Sequence, residues 1–464
     1  MSGLEGEVLE TTDLSPILGL DEDKRRWLSD LAAAADAAAL TLRLTGRTAD
    51  EIEPVVSYDE ATRTWWSGRF IGELRFEGRT LRILPRFGMP QLHRWLFRIS
   101  GVRLIASKGK YEASRIWLWE LLAKLWESEL LTAAKHGLPT VRVDELHIGD
   151  TIRGRLDVAL TAKAIGEGRR AVASRPRNRR IDTSIGGVII HALGHLRRAL
   201  DHHGNERSWL TERGVNIVKE LCARISAKDA AAAAASTRPL RYAPITEGYR
   251  RVVELSRAII RQRPSSSNAK GRDDVTGVLI DMAELWELYV FHVLRTQLPD
   301  HEVVHLGRNL TAAHWLLHSE SAKPLGQLLP DILVLDRRTA RTVAVLDAKY
   351  KSTVPRKSDR PRGIMREGLY QMTSYLSALA TDKDGLTGGL IYPDGGEASA
   401  IRELGEGNPW RIPGTDAHLW FLSLRCGDAV NSDQGTDAEQ RLGASVASAL
   451  SVRSLPSRGL APRI

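Results

Sequence analysis

The stretch VAVLDAKYKS, Val343 to Ser352, ends an apolar run on an acid and a base two residues apart. In a β-strand, residues i and i+2 project from one face. Asp347 and Lys349 would therefore stand together on a strand otherwise built for burial. Sixteen positions before Asp347, Asp331 follows Pro330 at the head of a second apolar run, PDILVLD. A turn at RRTART would fold the two runs into an antiparallel pair and bring Asp331 near Asp347. Two converging carboxylates repel unless a cation sits between them, and hard oxygen ligands select Mg²⁺ or Mn²⁺. A metal-bound water can attack a phosphodiester, and a neighbouring lysine can orient it or stabilise the charge building on phosphorus. The bland alternative is a surface ion pair, since Asp and Lys at this spacing are common. The Pro-Asp before an apolar strand at this distance puts the two readings level, and the helix that follows tips them toward the chemical one.

Other elements must position these groups. In the helical run LYQMTSYLSALA, Gln371 and Tyr375 are four apart and share a face that can lie beside the carboxylates. Between strand and helix lies a basic loop, KSTVPRKSDRPRG, whose Lys351, Arg356 and Lys357 are candidate DNA contacts. Upstream, residues 23–42 read as a helix, and 52–86 alternate like a β-meander, with Phe70, Gly72, Leu74 and Phe76 on one face. From about 90 the period becomes helical, and the stripe Trp117, Trp119, Trp126 reads as core. GDTIRGRLDVAL reads as a short strand. The arginines of 169–180 are equally consistent with phosphate contact and with a solvated loop. RPSSSNAKGRDD, 263–274, reads as a linker, followed by a helix over VLIDMAELWELYVFHVLRTQL. The organisation expected is α+β and multidomain. It comprises a small N-terminal β-rich domain (1–105) suited to partner docking, a mainly helical middle domain (106–262), an α/β core (275–430) and a flexible tail (431–464) in which 437–452 reads as at most a marginal helix.

The totals bound the rest. The chain has 464 residues, 42% apolar and 27% charged, with a net charge of +9. That composition is globular and compatible with nucleic acid. Cys222 and Cys426 are its only cysteines, too few for a disulfide framework or a cysteine-based zinc site, which fits a cytoplasmic protein. The N-terminal MSGLEGEVLETTDL is acidic and unlike a signal peptide, and no run is long enough for a membrane span. No G-x-x-x-x-G-K-[ST] occurs, so a nucleotide-driven motor would have to be another chain. His191 and His195 are four apart but lack a third ligand nearby, and read as ordinary helix residues.

The set LLPDILVLD, VAVLDAKYKS, LYQMTSYLSAL and GGLIYP resembles the PD-(D/E)xK nuclease superfamily with the Q-x-x-x-Y helix of its RecB-like branch. With RGRLDVALT, PRNRRIDTSI and LRILPRFG added, the chain resembles the McrC family, nuclease subunits of McrBC-type modification-dependent restriction systems. The resemblance implies a restriction-endonuclease-like core over 275–430. It implies active-site roles for Asp331, Asp347, Lys349, Gln371 and Tyr375. The metal, Mg²⁺ or Mn²⁺, would be held by Asp331, Asp347 and the main-chain carbonyl of Ala348. A glutamate from the preceding helix, Glu287 rather than Glu284, would join them. It also implies type IV, antiphage activity on DNA containing modified cytosine, with a McrB-like AAA+ partner that uses GTP or ATP. Two alternatives stay open: a subunit that chiefly assembles and stimulates the NTPase, and a repair or recombination nuclease indifferent to modification. The segment before Asn178 departs from the family by being basic where an acidic residue is usual.

Overall fold

The structure is a computed structural model. It describes residues 7–35, 37, 41–42, 53–100, 116–201, 209–261, 275–306, 314–320, 323–351, 366–379, 385–396, 400–413, 415–427 and 432–452. The chain divides into two compact units, one made of Met1–Arg103 with Asn268–Ile464 and the other of Leu104–Ser267.

The first unit opens with β1 (Val8–Thr12), α1 (Glu22–Ala34) and β2 (Thr41–Leu42). The expected meander follows as β3 (Val56–Asp59), β4 (Thr64–Ser67), β5 (Phe70–Phe76) and β6 (Arg79–Leu84), then α2 (Gly88–Ser100). Alternation puts Phe70, Leu74 and Phe76 inside, where they pack with Trp27, Leu28 and Leu31 of α1, while Glu73 and Arg75 stay partly exposed. Asp21 caps α1 by accepting the Lys24 N–H at 2.8 Å. β1 lies parallel to β6, and β6 antiparallel to β5.

The second unit is mostly helical. It contains α3 (Ile116–Ala133), β7 (Thr140–Asp144), β8 (His147–Gly149), β9 (Arg155–Leu156) and α4 (Val158–Gly166). β10 (Val172–Arg175), β11 (Arg177–Ile181), α5 (Thr183–Asp201), α6 (Glu212–Cys222), α7 (Ala227–Ala235) and α8 (Arg250–Arg261) complete it. Trp126 is fully buried and its indole N–H donates to Ser256 Oγ at 2.9 Å; Trp119 is only half-buried. The stretch expected to be one strand is only in part so, because Asp157 accepts the Leu160 N–H and starts α4. The arginine cluster is only in part a loop: Arg169 and Arg170 precede β10, whereas Arg175 lies in β10 and Arg177, Arg179 and Arg180 in β11, which pairs antiparallel with β7. There Arg177 faces Asp144 and Arg180 faces Glu145, while Arg175 pairs with Asp157 at 3.0 Å.

After the second unit the chain returns to the first. β12 (Thr276–Asp281) completes the N-terminal sheet in the order β1-β6-β5-β12-β2. The helix expected from Val278 starts only at Met282, as α9 (Met282–Gln297). Val278, Leu279 and Ile280 extend along β5, and Asp281 caps α9 through the Ala283 N–H at 2.9 Å. Gly72 and Gly277 make the pairing possible. A Cβ on Gly72 would lie 2.0 Å from the Val278 oxygen, and one on Gly277 2.1 Å from the Glu73 oxygen. The expected separate 1–105 domain is therefore corrected: β5 and β6 share a sheet with the strand that leads into the C-terminal core, while β3 and β4 pair only with each other.

That core continues with β13 (His301–His305), the hairpin β14 (His314–His318) and β15 (Pro324–Leu328), β16 (Ile332–Asp336) and β17 (Thr342–Ala348). Then come α10 (Arg366–Leu379), β18 (Thr387–Asp394), α11 (Ala400–Glu406), β19 (Trp410–Arg411), β20 (His418–Arg425) and α12 (Ser432–Val452). Its sheet runs β13-β16-β17-β18-β20-β19, with β17, β18 and β20 parallel. α10 is the crossover from β17 to β18, and it buries Met372, Tyr375 and Leu376 with Val345 and Leu390. The expected tail is also corrected. α12 packs on α9 and β20 and buries Ala438, Leu442, Val446 and Ala449. Its Glu439 is buried and accepts the Tyr289 O–H at 2.9 Å and the Arg98 guanidinium.

Candidate active site

β16 and β17 form the antiparallel pair expected from the two apolar runs, with Ile332 opposite Leu346. One residue beyond that rung, Asp331 and Asp347 stand opposite each other, 8% and 2% exposed. The Ala348 N–H donates to Asp331 Oδ2 at 2.8 Å. A strand residue directs its N–H and C=O to the same edge, so the Ala348 carbonyl also leaves β17 on the Asp331 side. Asp347 and Lys349, two apart, form an ion pair as the alternation requires.

Burial raises the Asp347 carboxyl well above the ordinary value, and the charge of Asp331 raises it further; Lys349 opposes both. Burial works against the Lys349 ammonium, but Asp347 and Asp331 outweigh it and hold its pKa above the usual lysine value. Two buried acids that repel each other beside one cation form a site short of positive charge.

A relay of side chains holds Lys349. Its ammonium donates to Gln371 Oε1 at 2.7 Å. The Gln371 amide nitrogen donates to Tyr375 Oη at 2.7 Å, and the Tyr375 O–H donates to the Leu329 carbonyl at 3.2 Å. Lysine can only donate and a carbonyl can only accept, so this sequence of donors and acceptors has one consistent direction. Leu329 lies two residues before Asp331, and the relay therefore closes a loop through both strands and α10.

Tyr392 of β18 was not anticipated from the sequence. It is buried, and its hydroxyl is pushed up by burial and by the charge of Asp347. GGLIYP reads locally as a buried strand, and only the parallel β17–β18 register brings Tyr392 to the site.

Other expected residues stand differently. Glu287 faces His305, with Oε1 2.8 Å from Nε2. Among the described residues, no group of three or more His, Cys, Asp or Glu side chains is placed to hold a metal ion. Lys351 is half-buried, 4.0 Å from Glu367. Arg356 and Lys357 lie outside the described residues.

The donor set nonetheless suits a hard divalent ion. Mg²⁺ keeps several waters and is commonly held by one or two carboxylates. Asp331, Asp347 and the Ala348 carbonyl supply that much, and a cation would relieve the repulsion that raises Asp347.

The family model for the McrBC 5-methylcytosine restriction system component matches residues 67–393. The chain belongs to that family. The match begins at the end of β4 and ends in β18, so it takes in the second unit and every residue of the relay. α11, β20 and α12 of this McrBC-family chain lie beyond it. Similar solved structures include a refined half-complex from a tetradecameric assembly of Thermococcus gammatolerans McrB AAA+ hexamers with bound McrC. That likeness has 15% identity and a TM-score of 0.46, over 95% of this chain and 99% of that one. Another is the cryo-EM structure of the Thermococcus gammatolerans McrBC complex, at 15% identity and a TM-score of 0.33, over 63% of this chain and 88% of that one. No curated protein matches the chain. No helix among the described residues is long and apolar enough to cross a membrane.

Proposed function

We propose that this chain is the endonuclease subunit of its McrBC-type system. It would hydrolyse phosphodiesters in DNA carrying modified cytosine, with Mg²⁺ or Mn²⁺, alongside a McrB-like AAA+ partner that uses GTP or ATP. The observation that carries the reading is the buried Asp331–Asp347 pair with Lys349 held by Gln371 and Tyr375. The partner follows from membership as one component of a system and from the lack of a P-loop in this sequence.

Asp331, Asp347 and the Ala348 carbonyl are the groups that would hold the metal. When bound, the ion supplies an acidified water and a Lewis acid for a phosphate oxygen. Lys349 has three N–H donors. One is committed to Gln371 and another faces Asp347, which leaves the third for a phosphate oxygen or the attacking water. Gln371 fixes the direction of the ammonium, and Tyr375 fixes Gln371 through the Leu329 carbonyl. Positioned charge of this kind stabilises a phosphorane without reorganisation. Asp331→Ala and Asp347→Ala should each lower Mg²⁺-dependent cleavage by the complex on the order of 10²-fold or more. Cleavage at the wild-type rate by either variant would overturn the assignment.

A specific observation also favours a role in assembly. The second unit exposes Val143, Leu146, Ile148, Ile152, Val158 and Ile165 within one short stretch. Clustered exposed apolar side chains mark contact surfaces. This stretch is a better docking candidate for the AAA+ partner than residues 1–105, whose β5 and β6 share a sheet with the strand that leads into the C-terminal core.

A further inference from the structure

The main chain after Lys349 is not held by the sheet. The Lys349 N–H donates to the Ile391 carbonyl at 2.9 Å, and β17 ends one residue earlier. The next rung of that parallel ladder would need an N–H from position 393, which is proline. Lys349 carries the candidate chemistry on a strand end that the ladder releases.

Residues from the other end of the chain take over. Arg86, in LRILPRFG, donates from Nη2 to the Lys351 carbonyl at 2.8 Å. Its guanidinium carbon lies 4.5 Å from the Tyr350 ring centroid and 4.7 Å from that of Phe87. Asp13, at the end of β1, is fully buried. Its Oδ2 accepts the Tyr350 O–H at 2.7 Å, and its Oδ1 accepts the Arg86 N–H at 2.7 Å. Tyr350 packs edge-on against Phe87 and Trp95, each at 6.2 Å. A buried carboxylate is expensive unless it is bonded, and here each of its oxygens is spent on Tyr350 or on Arg86. Both residues after Lys349 are therefore gripped, one by ring and hydroxyl and the other by its carbonyl. The parallel β1–β6 pairing puts Asp13 and Arg86 at the same end of the N-terminal sheet.

We infer that Arg86 and Asp13 are positioning residues for Lys349: they clamp Tyr350 and Lys351 where the sheet lets go, and so fix the approach of the ammonium to the carboxylate pair. This rests on the nuclease reading proposed above. The fork of Arg86 does two jobs that lysine cannot combine, bonding a carbonyl while lying flat on a ring.

The test uses the full-length chain with its partner NTPase, Mg²⁺, nucleotide and modified plasmid DNA. The variants are Arg86→Lys, which keeps the charge beside Asp13, and Tyr350→Phe, which keeps the ring and loses one hydrogen bond. Lys349→Ala is the reference. Arg86→Lys should lower kcat on the order of 10-fold or more, the scale of a small misalignment, with KM for DNA and partner NTPase stimulation within about twofold. Hydrogen exchange at Lys349, Tyr350 and Lys351 should quicken about tenfold, with the remaining core amides unchanged. Tyr350→Phe should move both readouts the same way by less. Wild-type kcat or unchanged local exchange in Arg86→Lys would overturn the clamp while leaving the site intact, provided Lys349→Ala is inactive. Full activity in Lys349→Ala would instead overturn the nuclease reading and the clamp with it.

Discussion

At the residue scale, the candidate site stores electrostatic cost. Asp347 has its carboxyl raised by burial and by Asp331. A group whose folded pKa lies above its unfolded one adds stability at low pH and loses it as pH rises through the folded value. In metal-free buffer, Asp347→Asn should therefore melt above the wild type at pH 8, where the buried charge is costly. The gap should shrink as pH falls toward about 4, the ordinary carboxylate value. Thermal unfolding across that range checks it, and a variant less stable than wild type at pH 8 would contradict the sign. Much of this site was legible in the sequence, because short-range geometry creates it. Strand alternation pairs Asp347 with Lys349, a tight turn brings Asp331 across, and helical spacing stacks Gln371 under Tyr375. The contact of Glu287 with His305 joins α9 to β13 and carries no local signal. Tyr392, Asp13 and Arg86 reach the site only through long-range register, which leaves no local trace.

At the element scale, tertiary pairing overrides propensity. Residues 278–281 continue the apolar pattern of α9 yet run as a strand, because β5 offers an edge and Gly72 and Gly277 permit close approach. Cutting away residues 1–262 would strip β12 of β5, so that truncation cannot isolate the C-terminal core. α12 was legible only as a marginal helix over 437–452, since a sequence rich in Ser, Gly and Asp gives a weak helical signal. Its anchor is Glu439, whose removal would leave the buried Tyr289 hydroxyl and Arg98 short of an acceptor. Glu439→Ala should cost about 1–3 kcal/mol, read as a lowered melting temperature. Unchanged melting would show that the helix is held by its apolar face alone.

At the scale of the whole molecule, the candidate site and the proposed docking stretch fall in different units. The relay lies entirely in the unit that joins both chain ends, while the exposed apolar stretch around Ile148 lies in the other. Ile148→Asp with Val158→Asp should reduce stimulation of the partner's hydrolysis at least several-fold, because a charge at an apolar contact must be desolvated. Wild-type stimulation would remove that surface from the account. The helical character of the second unit was readable from its periodicity. Its apolar exposure was not, since burial depends on how short strands such as β8 and β9 are packed.

The central claim is that Lys349 and the two aspartates cut DNA. The most direct measurement is single-turnover cleavage of methylated and unmethylated plasmids by the complex with Mg²⁺ and GTP or ATP, comparing wild type with Lys349→Ala. The account predicts cleavage of methylated DNA only, lost on addition of EDTA and reduced on the order of 10²-fold or more in the variant, with the partner's hydrolysis still stimulated. Equal cleavage by the variant would contradict the assigned site, and equal cleavage of both plasmids would point to a nuclease indifferent to modification.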